Sequence, residues 1–377
     1  MTSSLVPTVL GLFIQPGFAL LTCGLVRKKN AAHLVMLAFS AYVFALLAYY
    51  AVGYAVQSGF HGFFLRDASW NGRVTFEAAL MLVAAYVLVG AVCERISFRG
   101  FLICELFIGG VLYPAFANAA WHNGWLARHG FIDFAGSTTV HSLGGFCAMA
   151  LALVLGPRLG KYGRDGQPQP FLAHNIVFVA IGSFIVLCGW IGLVVAALPA
   201  DSLAGELLAM NVSIAAVGGG AAAMAFWAVS YGKPDVSMAC NGLLAGAVAI
   251  SASGPFVGPT AALVIGAIAG VIACGGVLLN ERTLRIDDPC GSIAVHGYAG
   301  WWGAVAVGVF SNRQNASLLM QLAGATSCAV YAFGLTYAVF AIVNARWRLR
   351  VDAEVEAEGL DLTQFGMLAY PDDEGVS

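Results

Sequence analysis

The sequence predicts an all-α membrane protein of eleven transmembrane helices, and three observations carry that prediction. Hydrophobic residues make up 60% of the 377-residue chain and charged residues only 10%, with a mean hydropathy of +0.82. A soluble chain carries roughly 25% charged residues, and a domain of this size has too little interior to hide so much apolar surface, so lipid must be the main solvent. Apolar runs of about 20 residues, the length a helix needs to cross hydrocarbon, recur along the chain. Basic residues gather in alternate connections between those runs.

In chain order the runs fall at 6–26, 33–56, 76–93, 101–119, 136–155 and 176–198, then at 204–229, 238–253, 261–279, 292–310 and 318–343. The first has no basic segment before it and no small-residue cleavage site after it, so it is expected to stay as a span. Arg27-Lys28-Lys29 follow the first run, Arg95 and Arg99 the third, and Arg158, Lys161 and Arg164 the fifth. Lys233 follows the seventh, Arg282 and Arg285 the ninth, and Arg346, Arg348 and Arg350 the last. The intervening connections hold only Arg66, Arg73, Arg128 and Arg313. By the positive-inside rule the N-terminus lies outside and the C-terminus inside, as an odd number of spans requires. A membrane domain over 1–345 is therefore followed by a charged cytoplasmic tail, 346–377, too short to be a domain of its own.

Composition also excludes partners and cofactors. A net charge of −2 with no basic tract argues against nucleic acid. The nine cysteines contain no C-x-x-C and sit mostly in apolar runs, which argues against disulfides and cysteine-held zinc. Gly144-Gly145, Gly218-Gly219-Gly220, and Gly266 with Gly270 mark close helix packing.

Ionisable groups within spans are costly and are usually there for function. Of the seven histidines, His33, His61, His122, His129 and His174 fall at run ends or in loops, where solvation or capping accounts for them. His141 and His296 lie inside runs, in TTVHSLGG and IAVHGYAG. An aspartate stands eight residues before each, Asp133 and Asp288, and each histidine opens a glycine-rich helix, the fifth and the tenth. That symmetry suggests an inverted five-plus-five repeat plus a final helix, an arrangement that places a substrate site near the midplane. Two uncharged imidazoles bonded to each other leave one donor and one acceptor for a small guest such as ammonia. No third ligand falls at a helical offset from both, so no metal is expected.

At these residues the chain resembles the ammonium transporter family (Amt/Mep/Rh). DFAGSTTVHS at 133–142 is similar to that family's D-F-A-G-[GS]-x-V-V-H signature. Further similarities are PGFALLTCGLVRKKN at 16–30, GAVCERISF at 90–98, His174-Asn175, NGLLAG at 241–246, DDPCGSIAVHG at 287–297 and EGLDL at 358–362. The resemblance implies a homotrimer with one pore per subunit and no enzymatic activity, carrying ammonium or ammonia. It assigns His141, His296 and Trp190 to the pore, and Trp121, Asp133 and Phe76 to recruitment at the outer mouth. There an aromatic face attracts the cation by about 0.5–2 kcal/mol. Asp133 is expected about 12 Å above His141, at ~1.5 Å per helical residue.

The chain departs from the family at several places. Leu80 and Leu193 stand where two stacked phenylalanines usually close the mouth, and Ala197 stands where the outer site has a hydroxyl. Gly291 replaces a second aspartate, and Phe365 and Met367 replace a His and a Glu of the tail. These changes keep open an ammonium sensor of the same fold with little transport. The tail resembles a regulatory segment that serves a PII-type signalling protein; the plainer reading is a solvated terminus. An intramembrane hydrolase would need a nucleophile such as Ser142 or Ser292 oriented against an imidazole.

Overall fold

The computed structural model describes residues 9–66, 73–198 and 203–371; residues 6–8 of the first expected run lie outside them. Among the described residues there are helices and no strands beyond two isolated bridges, Ile96 with Arg350 and Tyr162 with Pro168. Nine helices among the described residues are long and apolar enough to cross a membrane. Numbering in chain order with two shorter apolar helices included, these are α2 (Lys28–Gln57), α3 (Arg73–Val92), α4 (Phe98–Arg128), α5 (Ser137–Leu155) and α6 (Ile176–Val195). The rest are α7 (Ala204–Tyr231), α9 (Pro259–Leu284), α10 (Ile293–Phe310) and α11 (Leu318–Arg346). The shorter helices, α1 (Val9–Leu25) and α8 (Val236–Ile250), occupy the first and eighth expected positions.

Burial sorts the helices. The apolar window of α3 is 83% buried, so it is a central strut, whereas that of α11 is 22% buried and turns Leu319, Val330 and Ile342 outward. A helix apolar all round with one face uncovered matches an apolar surround, not water.

Two glycines set the crossing that matters most. A Cβ on Gly145 of α5 would lie 2.1 Å from the backbone nitrogen of Gly297 in α10. Only hydrogen fits there, and the backbones therefore meet one turn from His141 and one residue from His296. Both helices open alike. Gly136 (φ 93°) and Gly291 (φ 74°) take the left-handed conformation five residues before each histidine, and wide helical turns follow over Ser137–Ser142 and Ile293–Tyr298. Asp133 Oδ2 accepts from the backbone N–H groups of Thr138 (3.2 Å) and Thr139 (2.7 Å), and the Asp288 carboxylate accepts from those of Ser292 (3.0 Å) and Ile293 (2.7 Å). Each aspartate thus satisfies the orphan donors of a helix start and neutralises its dipole.

At one end of the bundle the basic connections meet buried acids. Arg158 holds Asp287 with two side-chain bonds (2.8 and 2.9 Å) and its own N–H (2.9 Å), and also pairs with Glu94. Arg27 (2.8 Å) and Asn30 (2.7 Å) reach the other Glu94 oxygen. Burial opposes charge on Asp287, yet Arg95 and Arg158 hold its carboxyl below the usual range; Arg158 and Arg27 do the same for Glu94 against its burial.

The tail folds back over this end as two short helices, α12 (Ala353–Glu358) and α13 (Leu360–Phe365). Glu356 bonds Arg350 (2.7 Å) and the Leu159 N–H (2.6 Å), and Asp361 accepts from the N–H groups of Ala32 (3.0 Å) and His33 (2.7 Å). Glu356, Leu360 and Asp361 are buried, so this stretch is docked and not a solvated end. Docking also corrects the reading of His33, which is buried against Phe365, with ring centres 5.9 Å apart.

Candidate functional site

The α5–α10 crossing brings His141 and His296 face to face. Their Nδ1 atoms are 3.1 Å apart, and the rings stack with centroids at 5.1 Å and planes 23° apart. A bond between two Nδ1 atoms links the tautomers. Whichever ring donates presents a lone pair at Nε2, and its partner presents Nε2–H. The pair therefore offers one acceptor and one donor outward, and His141 Nε2 has no partner among the described residues.

Aromatic rings flank the pair. The Trp190 ring lies 4.6 Å from that of His141 at 62°, and Phe18 lies 5.7 Å from His296. Trp190 is held by Nε1 donating to Ser251 Oγ (3.0 Å), which in turn donates to the Ala247 carbonyl (2.8 Å). Sequence reasoning named Trp190 but missed Ser251 and Phe18; Phe18 lies within the PGFALLTCG segment already singled out, and a serine on another helix leaves no sequence signal.

A void of about 20 Å³ touches both histidines and Trp190, and its remaining lining is hydrocarbon: Ile14, Phe18, Val83, Val186, Leu244, Ala247 and Val248. About 10–15 Å³ suffices for one water-sized molecule, so a single small guest fits. A second void of about 10 Å³ continues past His296, reaching Tyr86, Asn241 and Ser292. Two small chambers thus touch the His296 ring, the first walled by hydrocarbon and the second partly by polar side chains.

The remaining expected residues sit elsewhere. Trp121 and Asp133 meet at the end of the bundle opposite the acid–arginine network, where Trp121 Nε1 donates to the Asp133 carbonyl (2.6 Å). The Asp133 side chain is buried and serves the start of α5, with a third bond from Thr139 Oγ1 (2.7 Å); Oδ1 has no partner among the described residues. Phe76 is half-buried near the start of α3. Leu80 and Leu193 are fully buried, Leu193 against Gly11, and neither lines the two voids at the histidines. His122, read from sequence as solvated or capping, is paired with Glu77 at 3.0 Å. Ser142 donates to the Gly297 carbonyl (3.3 Å). No group of three or more His, Cys, Asp or Glu side chains is arranged to hold a metal among those residues.

Comparison with known proteins gives matches along nearly the whole chain. The Ammonium Transporter Family profile matches residues 3–370. Ammonium transporter Amt2 of Archaeoglobus fulgidus is 36% identical, over 96% of this chain and 86% of its own. A solved structure titled Sensor Amt Protein superimposes with a TM-score of 0.93 at 31% identity, covering 97% of both chains. The structure of Candida albicans Mep2 gives a TM-score of 0.83 at 25% identity, over 100% of this chain and 92% of that one. The relatives are named as transporters and not as enzymes, and this chain belongs to the ammonium transporter family.

Proposed function

We propose that the protein carries ammonium across a cell membrane by passing ammonia along His141 and His296. In this reading all eleven apolar helices span, with the N-terminus outside and the acid–arginine end inside. The membrane domain is 1–345, the tail 346–377, and the working unit a homotrimer with one path per subunit. The observation that carries the proposal is the mutually bonded histidine pair, whose His141 Nε2 bonds no other described residue, beside a chamber of single-molecule size and hydrocarbon walls.

Selection follows from desolvation. Potassium is close to ammonium in size, and a chamber without a cage of oxygens cannot replace its water, so the ion is excluded. Ammonium has another route. It is captured by the ring of Trp121, with Asp133 and Phe76 shaping the mouth, gives up a proton there, and crosses as neutral ammonia. Leu80 and Leu193 are the gate: they keep the plug apolar but offer no π-face to a waiting cation. The neutral guest then meets one donor and one acceptor at the histidines, which exchange hydrogen bonds with it at little net cost. The docked tail, with Glu356 and Asp361 bound to the inner ends of the helices, gives a PII-type regulator a surface whose position reports on the bundle.

A sensor with little flux is the second reading. The likeness to the structure titled Sensor Amt Protein and the leucines at the gate favour it. Ammonium uptake by cells lacking their own ammonium transporters separates the two. Transport requires uptake by the intact protein that is lost in His141→Ala; binding of ammonium without uptake by either supports the sensor.

A further inference from the structure

One buried polar chain has no part in the histidine path. At the end of the bundle that holds Trp121, the Nε2 of His122 lies 3.0 Å from Glu77 Oε1. Arg73 Nε donates to the same oxygen (2.7 Å). Gln57 Nε2 lies 3.0 Å from His122 Nε2, and Gln57 Oε1 accepts from Tyr49 OH (3.0 Å). Asn118 Nδ2 donates to the Gln57 carbonyl (2.7 Å), tying α4 to α2. Glu77 is 4% exposed, and its Oε2 finds no partner among the described residues. A carboxylate that deep in an apolar bundle is costly and needs a reason. His122 directly follows Trp121 and Glu77 directly follows Phe76, so the pair is built into the same backbone that presents those two rings.

The chemistry of the pair is that of an oriented base. A carboxylate at Nε2 holds the proton of a neutral imidazole there and leaves the lone pair at Nδ1; in that tautomer the Gln57 amide nitrogen is a close neighbour of Nε2 and not a donor to the ring. The Nδ1 of His122 makes no hydrogen bond among the described residues, and the side chain keeps 17% exposure. The charged and titratable neighbours are Arg73 and Glu77 from α3, Tyr49 and Tyr54 from α2, and, beyond Trp121, Asp133.

We propose that His122 and Glu77 form the proton-accepting dyad of the outer mouth. The assignment rests on the reading of the chain as an ammonium transporter that deprotonates its substrate there. An N–H bond of ammonium breaks and its electron pair stays on nitrogen as ammonia. The proton goes to His122 Nδ1, and Glu77 stabilises the imidazolium until the proton leaves to the outer solvent. Asp133, bound to three donors of α5, is left to its structural task.

The test is initial ammonium uptake by cells lacking their own ammonium transporters, in mildly acidic medium where little free ammonia leaks through lipid. Intact protein, His141→Ala, His122→Gln and His122→Ala are compared at equal surface amounts. Glutamine keeps a donor for Glu77 but has no basic nitrogen, so uptake is expected to fall roughly 100-fold. In His122→Ala, external imidazole is expected to restore uptake, which loss of a packing residue would not allow. Wild-type uptake by His122→Gln, or a loss in His122→Ala that imidazole leaves untouched, overturns the dyad while the transport reading stands. Equal uptake by intact protein and His141→Ala overturns the transport reading, and the dyad with it.

Discussion

Asp287→Asn is the sharpest test of how the inner end holds together. The change keeps size but removes a charge that Arg158 binds through two side-chain nitrogens and its backbone N–H, with all three partners buried. Removing one member of a buried ion pair costs about 3–5 kcal/mol, because the other charge stays buried and unpaired. Glu94 still faces Arg158, so the lower figure, about 3 kcal/mol, is expected. The pH dependence has a definite sign. Both acids are held below the usual carboxylate range, so their stabilisation is present above the unfolded-state value of about 4 and is lost as pH falls through the lower folded-state values. Thermal melting of purified protein, followed by size-exclusion chromatography, reads both effects. The variant should melt several degrees below the intact protein at neutral pH, and the gap should close only in strong acid. A variant that melts with the intact protein at neutral pH refutes the network as a source of stability.

Two further outcomes test the packing. In Gly145→Ala the new methyl meets the Gly297 backbone at 2.1 Å, so α5 and α10 must separate; ammonium uptake should fall sharply even where folded protein reaches the surface. Asp361→Ala removes the carboxylate that caps the start of α2, at a cost of about 1 kcal/mol. Limited proteolysis should then cut the tail faster, with the membrane helices intact.

Much of this was legible in the sequence because lipid imposes strong rules. A helix must be apolar for its full crossing, so all eleven runs appear as helices, although α1 and α8 are short within the described residues. The histidine pairing could be anticipated because identical spacing from Asp133 and Asp288 marks two helix starts of one design. The aspartates' task was harder to read: spacing gave their distance from the histidines but not the donors at their own helix starts that they accept from. The tail eluded sequence reasoning for a different cause. Its acids look solvated until Asp361 meets backbone donors of α2, hundreds of residues away, and Glu356 meets the Arg350 side chain six residues before it. The His122–Glu77 pair joins two helices whose neighbourhood no local pattern records.

The most direct measurement of the central claim is flux into liposomes that carry purified protein, read for ammonium as the rise in internal pH above that of protein-free liposomes and for potassium as tracer uptake. The intact protein should respond to ammonium and not to potassium, and His141→Ala and His296→Ala should each abolish that preference. Equal responses to the two ions in the intact protein, or a full selective ammonium response in both variants, would contradict a path lined by the paired imidazoles.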